Sequence, residues 1–171
     1  MEPVADHVIA FSEADLRARG FEGFKRFGDL ALSQVPREPG VYAVLRDFYS
    51  NHEVLPASVG GWFKSKDPSA DPAQLKLRLG CHSETLYIGK ADAGTRGTRG
   101  LRKRITEFAR FGRGEAVGHW GGRYIWQLSD SQDLRIAWLA VTDTSAKEVE
   151  DELFVEFFEA YGQLPFANLR R

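Results

Sequence analysis

The sequence predicts an α+β fold, a small and mainly antiparallel sheet of about three core strands flanked by helices. Three observations predict it. Residues 41–45, 85–88 and 134–141 are short runs rich in β-formers, bounded by glycine, proline or polar residues. Leu101, Ile105, Phe108 and Ala109 lay one apolar stripe along a helix, and Leu153, Phe154, Phe157, Phe158 and Tyr161 lay another. The elements follow one another as strand, strand, helix, strand, helix, so that helices are available to cover the sheet.

Taken along the chain, residues 1–34 read as a helical extension. Ser12 is placed to cap a short helix, with Asp15 three residues on. Phe21, Phe24, Phe27 and Leu30 recur at helical spacing, although Gly20, Gly23 and Gly28 keep that helix short or broken. Pro36, Pro39 and Gly40 stop it, and the first strand follows. Residues 47–83 form a long insertion between the first two strands, holding Pro56, Gly60, Gly61, Pro68, Pro72 and Gly80. A connection of this length inside a domain is uncommon and is usually functional or partly disordered. Within it Asp71 as N-cap and Pro72 at the first position predict a helix to Leu79. After the second strand comes a glycine-rich, basic turn at 89–100. His119-Trp120-Gly121-Gly122-Arg123 reads as a tight element, and 124–128 fits a strand or a helical turn equally. The strand at 134–141 sets Ile136, Trp138 and Ala140 on one face. Ser145 caps a long helix ended by Pro165.

A chain of 171 residues suits one domain spanning 1–171, and 43% hydrophobic with 12% aromatic content indicates a packed globule. No apolar run nears the roughly 20 residues of a membrane helix. The start has neither the basic region nor the apolar core of a secretion signal. Cys81 is the single cysteine, which excludes an internal disulfide and a cysteine-based zinc cluster. A cytoplasmic protein is expected. Net charge is −1, but the charges are segregated. Lys90, Arg96, Arg99, Arg102, Lys103, Arg104, Arg110, Arg113 and Arg123 are opposed in their stretch only by Asp92, Glu107 and Glu115. The stretch 143–159 is as strongly acidic. A local positive field binds phosphates whatever the total charge, within the screening length of about 8 Å. Two solvated helix faces are the alternative reading.

Gly40-Val41-Tyr42 and Tyr87-Ile88-Gly89 resemble the paired tripeptides of the GIY-YIG nuclease family. The order strengthens the resemblance: each tripeptide falls on an expected strand, Arg104 on the following helix, then an acidic helix, then Pro165 and Asn168. Lys90-Ala91 after the second tripeptide is similar to the Gly-Lys-Ala of the excision-repair incision subunit of that family. The resemblance covers roughly 35–171. Three departures concern the substrate more than the fold: about forty residues between the tripeptides, the glycine-rich stretch before the arginine helix, and the 119–123 block. A group of stand-alone members is similar in that block and in the insertion.

The resemblance implies metal-dependent endonucleolytic hydrolysis, with DNA the expected nucleic acid and Mg2+ or Mn2+ the cofactor. It assigns Tyr42 to activating water, Arg104 to the attacked phosphate, Tyr87 to positioning, Glu150 to the metal and Asn168 to steadying the site. A free tyrosine has a pKa of about 10, so Tyr42 needs cations, with Lys90 and Arg104 the candidates. A planar guanidinium suits phosphate, and magnesium takes few carboxylates and several waters. Glu152 is the alternative to Glu150. Arg96, Arg99, Arg102, Lys103, His119 and Arg123 are the expected nucleic-acid contacts, although His119 also fits a loop-bonding role. Trp120, Trp126 and Trp138 read as core, and Trp62 as a possible base-stacking platform if exposed. The competing function is a nucleic-acid-binding or protein-interaction module that keeps the fold and cuts little.

Overall fold

The computed structural model describes residues 8–47 and 52–169. Strands β1 (Glu22–Arg26), β2 (Gly40–Leu45), β3 (Thr85–Ala91) and β4 (Arg135–Ala140) make one antiparallel sheet in the order β1-β4-β2-β3. Helices α1 (Glu13–Ala18), α2 (Pro72–Leu79), α3 (Leu101–Gly112) and α4 (Ala146–Tyr161) flank it. β2 lies between β3 and β4 and is buried along its whole length. Its side chains alternate between two cores, as a pleated strand requires. Tyr42 and Val44 join Ile105, Phe108 and Phe111 of α3. Val41, Ala43 and Leu45 join Leu153, Phe154 and Phe157 of α4. Sheet and helices therefore form layers, with a core on each face.

The sheet has four strands rather than three, because β1 replaces the short or broken helix expected from the phenylalanine spacing. Gly20, Gly23 and Phe24 adopt φ of 91°, 93° and 52°, which no right-handed helix contains. The pairing of β1 with β4 slips between Gly23 and Lys25, a bulge that imitates a helical repeat in the sequence. A Cβ on Gly23 would lie 2.6 Å from the ring of Trp138, so the indole packs directly on bare backbone. The expected helical extension is thus partly sheet. Among the described residues there, α1 is the only α-helix, with the Ser12 hydroxyl accepting from the Asp15 amide at 3.2 Å.

The other helix signals hold. Asp71 accepts from the Ala73 amide at 3.0 Å to open α2. Ser145 and Glu148 close a reciprocal capping box on α4. α4 stops at left-handed Gly162 (φ 69°), ahead of Pro165. Of the ambiguous 124–128, residues 124–127 belong to a 3-10 segment, Trp120–Gln127, and Leu128 makes an isolated antiparallel bridge with Val54.

The described part of the 47–83 insertion is fastened to the body. Buried Gln127 donates to the carbonyls of Leu55 (3.0 Å) and Ala70 (2.8 Å) and accepts from the Ala70 amide (2.8 Å). The Gly61 amide bonds the Phe111 carbonyl (2.9 Å) at the C-terminal end of α3. No described helix is long and apolar enough to cross a membrane.

Candidate active site

A cavity of about 960 Å3 opens beside the edge strand β3. β2 contributes Tyr42, β3 Tyr87 and Lys90, the first turns of α3 and α4 Arg104 and Glu150, and the C-terminal segment Asn168. The pairing register explains why the tripeptides belong together. Tyr42 stands opposite Gly89, and a Cβ on Gly89 would lie 2.6 Å from the Tyr42 ring and 2.9 Å from that of Tyr87. The glycine of the second tripeptide is the seat of the tyrosine of the first. A bulge at the other end of β3 turns Leu86 and Tyr87 into the same core, while Ile88 faces the opposite one.

Tyr42 is wholly buried apart from its hydroxyl environment at the cavity wall, with a relative exposure of 0%. Burial raises its pKa, and the nearby Arg104 guanidinium and Tyr87 hydroxyl only partly offset this. Burial likewise holds Tyr87 well above the ordinary value, with Tyr42 adding to it. The expectation that cations would bring Tyr42 toward ionisation is therefore corrected. Arg104 is the only cation among the main influences on it, and desolvation prevails. Lys90 instead pairs with Asp92 and acts on Glu150. Glu150 is half-buried, and desolvation lifts its pKa to about 7 despite the pull of Lys90. Glu152 is exposed and does not line the cavity, so of the two carboxylates Glu150 is the one placed at the site.

Asn168 is close to the site without presenting its amide to it. Its Oδ1 accepts from the Ile88 amide (2.9 Å) and its Nδ2 donates to the Ile88 carbonyl (2.8 Å). The unpaired edge of β3 is satisfied by a side chain that imitates a strand. Asn168 therefore holds β3 in place beside the cavity, in keeping with the steadying role expected of it.

The expected nucleic-acid contacts divide. Arg99 and Arg123 line the cavity. Arg99 makes a two-pronged pair with Glu107 (2.9 and 2.8 Å), which also takes Arg104 at 3.4 Å. Arg123 stacks over Trp120 and Tyr124, with centroid distances of 4.6 and 5.0 Å. Arg96 and Lys103 are exposed, and Lys103 lines a second, adjoining cavity of about 510 Å3 together with Arg37, Arg99 and Arg102. Arg102 is corrected to a largely structural role, because its guanidinium donates to the carbonyls of Val35 (2.8 Å) and Ser33 (2.9 Å) and ties α3 to the loop before β2. His119 is corrected outright. It is 0% exposed, stacked on Phe108 at 4.0 Å, and hydrogen-bonded through Nε2 to the Tyr42 hydroxyl at 2.7 Å. It cannot touch nucleic acid, but it touches the residue expected to activate water.

Two residues escaped the sequence reading. Trp120, read as core, is half-buried on the cavity wall, whereas Trp126 and Trp138 are core as expected. The basic residue Arg123 three positions on was the available signal. Arg78 of α2 donates to the carbonyls of Phe166 (2.8 Å) and Asn168 (2.6 Å), so the insertion clamps the segment that holds β3. No local sequence signal joins those positions. Trp62 is 58% exposed but lies off the cavity, next to Gly61 at the C-terminal end of α3. Arg104 is about 10 Å away along that helix axis, at 1.5 Å per residue. Comparison with family models, with curated proteins and with solved structures found no match.

Proposed function

We propose that the chain is a metal-dependent endonuclease of the GIY-YIG type, hydrolysing phosphodiester bonds of nucleic acid, with DNA the expected substrate. The observation that carries this is the convergence of Tyr42, Tyr87, Arg104 and Glu150 from four different elements on one cavity. Each side chain alone is an ordinary strand or helix residue. Together they supply the parts of phosphodiester hydrolysis: a proton acceptor for water, a guanidinium for the phosphate, and a carboxylate for a cation.

The donor set fits Mg2+ or Mn2+. Glu150 offers one desolvated carboxylate, and among the described residues there is no group of three or more His, Cys, Asp or Glu side chains to cage an ion. A cation held by one carboxylate completes its shell with water and substrate oxygens, as magnesium does. When bound, the metal supplies charge neutralisation and polarisation at the phosphoryl group. The chain's own residues do the rest. Arg104 holds the attacked phosphate, released for it from a long 3.4 Å contact with Glu107. Tyr42 accepts the proton of the attacking water, oriented by Tyr87. Arg99, Arg123, Lys103 and Arg96 extend the positive surface over which the strand runs.

The test is incubation with single-stranded, duplex and branched DNA and with RNA, in Mg2+, Mn2+ or chelator. Internal cleavage that needs metal, and falls by about 100-fold or more in Arg104→Ala and Glu150→Ala with melting intact, is the expected result. Undiminished cleavage by Glu150→Ala would remove the proposed metal ligand. Binding without cleavage by the wild type would favour a nucleic-acid-binding module instead.

A further inference from the structure

Tyr42 poses a chemical problem that His119 answers. A buried phenol whose nearest cation does not overcome desolvation stays protonated, so it can take a proton from water only if its own proton leaves at once. Near the Tyr42 oxygen stand the Arg104 guanidinium, which can only donate, and the Tyr87 hydroxyl. The hydrogen-bond partner of the hydroxyl is His119 Nε2, 2.7 Å away. Were Nε2 to carry the hydrogen, it and Arg104 would both be donors facing that oxygen, and the phenol proton would be left to the neighbouring Tyr87 hydroxyl alone. The tautomer that satisfies Tyr42 therefore has its hydrogen on Nδ1 and a free lone pair on Nε2. Nδ1 itself is buried and has no well-formed hydrogen bond among the described residues, a price that packing does not require. The ring is fixed by stacking on Phe108, and the loop ahead of it by Arg104 donating to the Gly118 carbonyl at 2.8 Å.

We propose that His119 is the positioning residue of the water-activating tyrosine, accepting the Tyr42 proton through Nε2 as Tyr42 takes one from water. The inference rests on the proposed nuclease reading and deepens it. As water attacks, one of its O–H bonds breaks and that proton passes to the Tyr42 oxygen. The Tyr42 O–H bond breaks and its proton passes to Nε2. The new P–O bond forms, the P–O bond to the leaving group breaks, and the departing oxygen takes a proton from solvent. His119 then returns its proton through Tyr42 to the emptied cavity. The groups facing the imidazole are Tyr42 from β2, Tyr87 from β3, and Arg104 from α3. Burial, reinforced by Arg104, keeps its pKa well below the usual range, so the resting ring is neutral and the acquired proton is not retained.

The test uses the full chain, with His119→Gln checked for unchanged melting. Nitrogen NMR of labelled histidine should show the His119 signal with Nδ1 protonated and Nε2 bare, and Tyr42→Phe should move the Nε2 resonance. A protonated Nε2 in the neutral ring overturns the proposal whether or not any nucleic acid is cut. In the cleavage assay His119→Gln should lower kcat about 100-fold with KM within about twofold, in the range of general acid–base effects. Its residual rate should climb tenfold per pH unit into the alkaline range, because Tyr42 must then ionise unaided, while the wild type stays flat. A variant whose kcat is lowered equally at every pH has lost only packing, and that result, or an undiminished kcat, rejects the proton-accepting role while leaving wild-type nuclease activity standing. A wild type that cuts nothing rejects the nuclease reading and this step together.

Discussion

Replacing Glu150 by glutamine should make the metal-free protein more stable above pH 7, at the expense of its proposed function. Desolvation raises the Glu150 carboxyl from 4.5 to about 7, with Lys90 opposing and Asp151 adding to the shift. Folding therefore favours the protonated acid. Below about pH 4.5 both folded and unfolded chains carry the proton and the shift contributes nothing. From there to about 7 the unfolded chain releases the proton first, and the folded state is progressively disfavoured. Above 7 the penalty is constant. The full shift corresponds to about 3.4 kcal/mol at most. Glu150 is only half-buried, and solvent screening reduces this to about 1–2 kcal/mol. For a chain of this size that is a gain of about 2–8 °C in Tm for Glu150→Gln at pH 8. Thermal denaturation by circular dichroism, from pH 4.5 to 8 and with and without Mg2+, measures it. The advantage of the variant should vanish at pH 4.5. Mg2+ should raise the Tm of the wild type at pH 8 and leave the variant unmoved, since a ligand stabilises only the state that binds it. Equal stability of the two proteins at pH 8, or a pH-independent difference, would refute the desolvation argument.

Other expected outcomes follow from the same geometry. Replacing Arg96, Arg99 and Lys103 together should flatten the dependence of nucleic-acid affinity on salt, read by titration at several ionic strengths, whereas Arg102→Ala should lower Tm instead because its guanidinium serves the carbonyls of Ser33 and Val35. Gly89→Ala should destabilise the fold by about 1–3 kcal/mol in denaturant titration, since the added methyl meets two tyrosine rings. Arg78→Ala should cost about 1–3 kcal/mol by stranding the carbonyls of Phe166 and Asn168, and should raise hydrogen exchange at the Ile88 amide. Trp62→Ala should leave cleavage unchanged.

The sequence was readable where the deciding interactions are local. Ser12, Asp71 and Ser145 each cap the helix they precede, because capping joins residues two or three positions apart. The apolar stripe of α3 is buried as its period requires. Tyr42, Tyr87, Arg104 and Glu150 meet because each occupies a fixed place on an element whose packing partner is dictated by the sheet. Long-range effects were hidden. β1 looks like a helix because a bulge shifts the period, and only its pairing with β4 shows the reason. His119 was expected to contact nucleic acid or to bond a loop, because nothing near it in sequence says that Phe108 and Tyr42 enclose it. The insertion looked like a loop, yet Gln127, far along the chain, ties Leu55 and Ala70 of it to the body.

The arrangement also explains why several of these residues are poor contributors to stability. Glu150 is a carboxylate without an adequate cation, Tyr42 a phenol without charge compensation, and His119 a buried ring with an unsatisfied nitrogen. Each is costly in the folded protein, and each would be cheaper as an apolar residue of the same shape. Glu150 and Tyr42 line one cavity, and His119 bonds the Tyr42 hydroxyl. A structural polar network would close its own bonds, as Gln127 and Asn168 do within this same molecule. Trp126 Nε1 in the core is also buried without a hydrogen-bond partner among the described residues, so an orphaned nitrogen is not peculiar to this region. What is peculiar to the cavity is the charge deficit, which, under the proposed function, a cation beside Glu150 and a phosphate beside Arg104 would supply. Under the proposed function that deficit is the part of the fold an ionic substrate would complete.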